Sequence, residues 1–146
     1  MTYNKALVAY DGSEHGKQAL AAALEFVDHK MVKKLVILHV VATRRGVEPM
    51  LEAGSIFASS DTEAFEERER DEVVREIEGL IDGYQDITEI VVRVGTPRIE
   101  IAHIVDTHNC DLIIIGSRGL GAVRSMLGSV SSSVLTESEV PVFILR

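Results

Sequence analysis

Five short apolar runs, residues 6–9, 35–41, 90–94, 112–115 and 142–145, are spaced along the chain with helical patterns between them. Most of the runs are continuous and rich in Val and Ile instead of alternating with polar residues. That is the pattern of strands buried on both faces of a parallel sheet. Parallel neighbours cannot be joined by a tight hairpin, so each pair needs a crossover long enough to hold a helix. The intervening segments qualify. From Glu14 to about Asp28, the residues Ala19, Leu20, Ala23, Leu24 and Val27 form one apolar stripe. From about Thr62 to Asp82, Val73, Val74, Ile77, Leu80 and Ile81 form another. Thr96-Pro97 reads as an N-cap followed by proline at the first helical position, with Ile99, Ala102 and Val105 facing inward. A last helix is expected from about Ser129 to Ser138, with Val130 and Val134 inward.

The order is therefore β-α-β-α-β-α-β-α-β. Right-handed crossovers then put helices on both faces of the sheet. The expected fold is a three-layer, doubly wound, five-stranded parallel sheet of order 3-2-1-4-5. The 146 residues make one domain, 1–146. The one long connection, from about Ala42 to Asp61, is too long for a simple turn. It reads as a lid or flap in which Met50, Leu51, Ile56 and Phe57 could form a short helix. The acidic stretch 63–72 reads as a solvated helix face laced by the i,i+4 pairs Glu66–Arg70 and Asp71–Arg75.

Charge narrows the partners. A formal net charge of -8 opposes nonspecific binding to nucleic acid and docking on an anionic membrane. The single cysteine, Cys110, forbids an internal disulfide and reads as a structural thiol. The first residues hold no apolar signal-peptide core, and no apolar run approaches the roughly 20 residues of a membrane span, so the expected location is cytoplasmic.

In an open α/β sheet, ligands bind where the strand order reverses, at the carboxyl ends of the strands. With order 3-2-1-4-5 that place lies between the first and fourth strands. The first ends in Ala9-Tyr10-Asp11-Gly12-Ser13 and the fourth in Ile115-Gly116-Ser117-Arg118-Gly119. Gly116, Gly119, Gly121 and Gly128 would let backbone amides approach an anion. Gly128-Ser129 then opens the last helix, whose free N–H groups and partial positive charge suit a phosphate. Ser129 and Ser131 add hydroxyls; Arg118 and Arg124 add charge. Asp11 has two readings: an acceptor for a ribose hydroxyl or adenine amine, or a cap of the first helix together with Ser13.

These residues resemble the universal stress protein family, in its nucleotide-binding subgroup. The resemblance runs over essentially the whole chain. It rests on Val8-Ala9-Tyr10-Asp11-Gly12-Ser13, Leu38-His39-Val40, Val94-Gly95-Thr96-Pro97 and above all GSRGLGAVRSMLGSVSSSVL at 116–135. Members that bind ATP carry G-x-x-G, nine further residues, then G-S or G-T. Here Gly116, Gly119 and Gly128-Ser129 fit, but eight residues, Leu120 to Leu127, fill the gap. The resemblance implies an adenine nucleotide alpha hydrolase-like fold and a site for ATP or AMP, with Mg2+ as a companion ion. It implies Ala9 and Asp11 beside adenine and ribose, with Val40 lining the base pocket. Gly116, Arg118 and Gly119 would approach ribose and phosphates, and Gly128, Ser129, Val130 and Ser131 would bind the phosphates. It also implies a homodimer paired through the last strand, Val140 to Arg146, acting as a regulatory stress-response module on an unidentified protein partner. The residues alone make the last strand an apolar edge in need of cover.

No Walker motif or dinucleotide fingerprint is present. The histidines His15, His29, His39, His103 and His108 show no ligand spacing, so no metal site is expected. His39, inside an apolar run, reads as a satisfied core histidine. No catalytic constellation is evident, so catalysis is expected to be absent or limited to slow ATP hydrolysis or self-phosphorylation. An interaction protein that has lost nucleotide binding is the remaining alternative.

Overall fold

A computed structural model describes residues 1–42, 55–118 and 127–146, with side chains on the second helix from Glu63 onward. The strands are β1 (Tyr3–Ala9), β2 (Val32–Ala42), β3 (Thr88–Gly95), β4 (Leu112–Gly116) and β5 (Val142–Leu145). The helices are α1 (Glu14–Asp28), α2 (Ser55–Leu80), α3 (Pro97–Thr107) and α4 (Ser129–Glu137), with a 3-10 turn at Gln85–Ile87. All strand pairs are parallel and the sheet order is β3-β2-β1-β4-β5, as the continuous apolar runs predict.

The side chains of each strand divide between two cores because successive residues point to opposite faces. Ala6, Val8 and Tyr10 of β1 and its extension join Leu35 and Ile37 of β2 and Leu112 and Ile114 of β4 on one face. Ala19, Leu20 and Ala23 of α1 and Ile77 of α2 cover them. Leu7, Val36, Leu38, Ile113 and Ile115 form the other face, under Ile101 and Ile104 of α3 and Val134 of α4. The chain winds outward through α1 and α2, then returns through α3 and α4. Reversing the winding direction with right-handed crossovers is what places the two helix pairs on opposite faces.

Three local expectations change. The long helix α2 begins at Ser55 instead of near Thr62, so Ile56 and Phe57 belong to it and not to a separate short helix. Met50 and Leu51, and any lid formed by 43–54, lie outside the described residues. In α3 the inward stripe is Ile101 and Ile104 with Val105 half-buried beside them as expected, whereas Ile99 is 54% exposed and Ala102 is exposed. The proline at the first helical position fixes the helix start but not its rotation. Ile101, Ile104 and Val105, at i, i+3 and i+4, share one face of the helix and turn it to the sheet. In α2, Leu80 points outward while Ile77 and Ile81 are buried.

Candidate functional site at the strand-order reversal

The β1–β4 ladder runs from Ala6 opposite Leu112 to Val8 opposite Ile114 and then ends. The two chains leave the sheet side by side, β1 into Tyr10-Asp11-Gly12-Ser13 and β4 into Ser117-Arg118. Gly12 takes φ +82°, a left-handed conformation that glycine adopts without steric cost. That turn brings Asp11 back over the start of α1. Asp11 Oδ1 accepts from Ser13 N at 2.9 Å and from the Ser13 hydroxyl. The Ser13 hydroxyl oxygen in turn accepts from Gly16 N at 3.0 Å, the bond of an N-cap. Asp11 therefore holds the cap from outside, and its side chain stays exposed at the sheet edge.

The β4 end is tied from three sides. Gly116 O accepts from the buried Ser131 hydroxyl at 2.6 Å. Ser117 N donates to Leu145 O, and Ser117 O accepts from Gly128 N, each at 2.6 Å. A Cβ on Gly116 would lie 2.8 Å from His15 Cβ and 2.9 Å from the His15 carbonyl carbon and oxygen. Gly116 thus lets the first turn of α1 press against β4, a packing role that the glycine pattern alone does not reveal. His15 Nδ1 is buried there without a hydrogen-bond partner among the described residues.

These bonds decide what the start of α4 still offers. The first intrahelical bond runs from Ser132 N to Gly128 O at 2.9 Å. The N–H groups of Ser129, Val130 and Ser131 precede it and so lack an intrahelical acceptor. The amide of Gly128 and the hydroxyl of Ser131 are engaged within the protein, whereas Ser129 is exposed. Ala9, Val40 and Val130 are all half-buried and pack on the same core face. Asp11, Gly116, Arg118 and Gly128 stand at the ends of β1, β4 and the start of α4, where the order reverses. Gly119 lies outside the described residues.

Two contacts at this edge have no sequence signal, because their partners are far apart in the chain. The buried Tyr10 hydroxyl donates to Glu76 Oε1 of α2. Burial first, and then that bond to a carboxylate, hold the phenol well above its ordinary range. His39, 5% exposed, places Nδ1 2.9 Å from Tyr10 O and Nε2 3.4 Å from Glu69 Oε1. A carbonyl oxygen only accepts, so Nδ1 carries a hydrogen. His39 is accordingly a satisfied core histidine, as its apolar setting suggests. The acidic stretch is mainly solvated, but Glu69 turns inward from it to hold α2 against the carboxyl edge of β2.

Among the described residues no group of three or more His, Cys, Asp or Glu is placed to hold a metal. No helix among them is long and apolar enough to cross a membrane.

Comparison with known proteins follows the same outline. A universal stress protein of Thermus aquaticus is 34% identical over 143 residues, spanning 96% of both chains. The universal stress protein YxiE of Bacillus subtilis is 32% identical and spans 99% of both. The solved structure of the Methanocaldococcus jannaschii protein MJ0577 matches with a TM-score of 0.74 and 27% identity, covering 99% of this chain and 96% of that one. A universal stress protein in complex with cAMP matches with a TM-score of 0.67 at 22% identity, covering 100% of this chain and 98% of that one. One from Archaeoglobus fulgidus in complex with dAMP matches at 0.62 and 19%, with both chains fully covered. The family model described as the universal stress protein family matches residues 2–146. The chain belongs to the universal stress protein family.

Proposed function

We propose that this chain is a homodimeric binding module for an adenine nucleotide, ATP or AMP, which reports nucleotide state to a protein partner. The observation that carries the reading is the meeting of an exposed carboxylate, Asp11, with the first N–H groups of α4, which have no intrahelical acceptor, at the strand-order reversal. A carboxylate accepts from ribose hydroxyls or the adenine amine, and a helix start takes phosphate. The cAMP and dAMP complexes of two relatives support the ligand class.

In this reading Ala9, Val40 and Val130 supply the apolar wall for the base, and Asp11 accepts from the sugar. Gly116, Arg118 and Gly119 lie along the ribose and phosphates. At the helix start, the N–H groups of Ser129, Val130 and Ser131 and the Ser129 hydroxyl face phosphate. Gly128 sets the entry angle, and Ser131 acts through its amide because its hydroxyl is engaged. Mg2+ would accompany a triphosphate and add positive charge to it. The β5 edge, with Phe143 40% exposed, is the pairing surface for the second copy.

Isothermal titration with ATP and with AMP, with and without Mg2+, tests this. The expected result is a Kd below about 1 mM for at least one nucleotide, weakened about tenfold by Asp11→Asn. That variant keeps an acceptor for Ser13, so the helix cap survives. Absence of binding to both nucleotides below that concentration removes the proposal. Sedimentation at several concentrations tests the dimer.

A further inference from the structure

The opposite edge of the sheet carries a second concavity. A cavity of about 420 Å³ lies between the end of α3 and the turn from α4 into β5. That volume falls within the roughly 300–1,000 Å³ of small-molecule sites. Its floor is apolar and buried: Ile101, Cys110, Ile113 and Val134. Its walls are held by hydrogen bonds. Cys110 N donates to Val105 O at 2.9 Å, closing α3 over Asn109 at φ 56°. On the far side Ser138 N donates to Val134 O at 3.0 Å. The Ser138 hydroxyl donates to Val140 O at 2.8 Å and accepts from Val140 N at 3.1 Å.

Two independent features give this cavity a negative field. First, its rim holds three carboxylates, Asp106, Glu137 and Glu139, against one guanidinium, Arg98, for a formal balance of 1 - 3 = -2. Arg98 pairs with Glu137 at 3.7 Å, leaving Asp106 and Glu139 without an ion-pair partner among the described residues. Second, α3 and α4 both end at the cavity, and neither has a basic residue in its last turn. The carbonyl end of α4 therefore adds partial negative charge. At the end of α3 the Lys5 ammonium donates to His108 O at 2.9 Å and offsets the carbonyl end there.

We propose that this cavity is a small-molecule site, separate from the nucleotide edge, for an organic cation with an apolar body, of the alkyl or arylalkyl ammonium class. The apolar part would enter over Ile101, Ile113 and Val134, and the ammonium would stay at the rim between Asp106 and Glu139. Apolar burial supplies affinity and the rim supplies selection for positive charge.

The test uses three probes of one shape on the full chain: 4-phenylbutylamine, 4-phenylbutanol and 4-phenylbutyrate. Amide shifts are followed by nitrogen-15 NMR. The expected result is saturable shifts at Ala102, Asn109, Cys110 and Val140 with a Kd of about 1 mM or tighter for the amine. The alcohol and the carboxylate should bind at least about fivefold more weakly. Asp106→Asn with Glu139→Gln, both exposed positions, should weaken the amine about fivefold and leave the alcohol unchanged. Ala102→Trp, filling the cavity from its exposed wall, should abolish all three shifts. Equal affinity for the three probes overturns the proposal, as does an absence of saturable shifts to about 10 mM. Closure of the cavity by a second copy, seen as shifts that appear only on dilution to monomer, also overturns it. Nucleotide binding is read by calorimetry and probe binding by the shifts at Ala102, Asn109, Cys110 and Val140 in nucleotide-free protein, so the two failures are distinguishable.

Discussion

Replacing Gly116 by alanine separates a packing role from a ligand role. The added Cβ would sit 2.8 Å from His15 Cβ and 2.9 Å from the His15 carbonyl carbon and oxygen, where ordinary contact begins at 3.4 Å. Two of those three atoms are backbone of α1, so no side-chain rotation relieves the clash. The first turn of α1 is also pinned by the Asp11–Ser13–Gly16 cap, so the helix must lift against its own anchor. Overpacking of this kind costs about 1–3 kcal/mol. Alanine recovers part of that, about 0.5–1 kcal/mol, by restricting the unfolded chain. At the middle of both ranges the net loss is about 1 kcal/mol, or roughly 4 °C in Tm for a chain of this size. Gly79→Ala is the control, because a Cβ there meets nothing within 4 Å and lies inside α2. It should stabilise by up to about 1 kcal/mol. Urea unfolding of nucleotide-free protein, followed by circular dichroism, measures both. If Gly116→Ala matches the wild type or gains stability as Gly79→Ala does, the packing argument is wrong and the glycine serves only a ligand.

Ser131→Ala should cost about 1–3 kcal/mol in the same assay, because Gly116 O would lose its 2.6 Å donor in a buried setting; an unchanged urea midpoint would refute that accounting. Alkaline pH should weaken the fold. Burial pushes the Cys110 thiol from 9.0 up to about 11, and raises the Tyr10 phenol above its ordinary 10.0. Both groups favour their neutral forms in the folded chain. Their stabilisation is complete below pH 9 and declines as pH rises through 11. The urea midpoint should fall over that interval, and Cys110→Ala should flatten its early part. A midpoint independent of pH between 9 and 11 contradicts the assignment.

The parallel sheet was legible because strands buried on both faces are apolar throughout, as Leu112–Ile115 and Leu35–Leu38 are, and the alternation of strands with helices gave the doubly wound order. The site edge was legible for the same topological reason: Asp11 and Gly116 end strands that part at the reversal. Rotation of α3 was not, since Ile99, Ile101, Ile104 and Val105 offer two overlapping stripes and only the sheet decides between them. The inward turn of Glu69 and the bond from Tyr10 to Glu76 were hidden because each joins residues brought near only by α2 crossing the sheet. The double role of Asp11 was visible in kind, and the structure shows that capping through Ser13 still leaves its side chain at the surface.

Ser117 is a rivet joining three plates. Its N–H ties the outermost strand through Leu145 on one side, and its carbonyl ties the start of α4 through Gly128 on the other. A slip of β5 by one residue would unseat the first bond and drag on the second. The rim of the sheet and the mouth of the helix are mechanically in series, joined at Ser117 and, next to it, by the Ser131 hydroxyl on Gly116 O. Whatever clasps β5 from outside therefore bears, through the end of β4, on the alignment of the amides of Ser129, Val130 and Ser131.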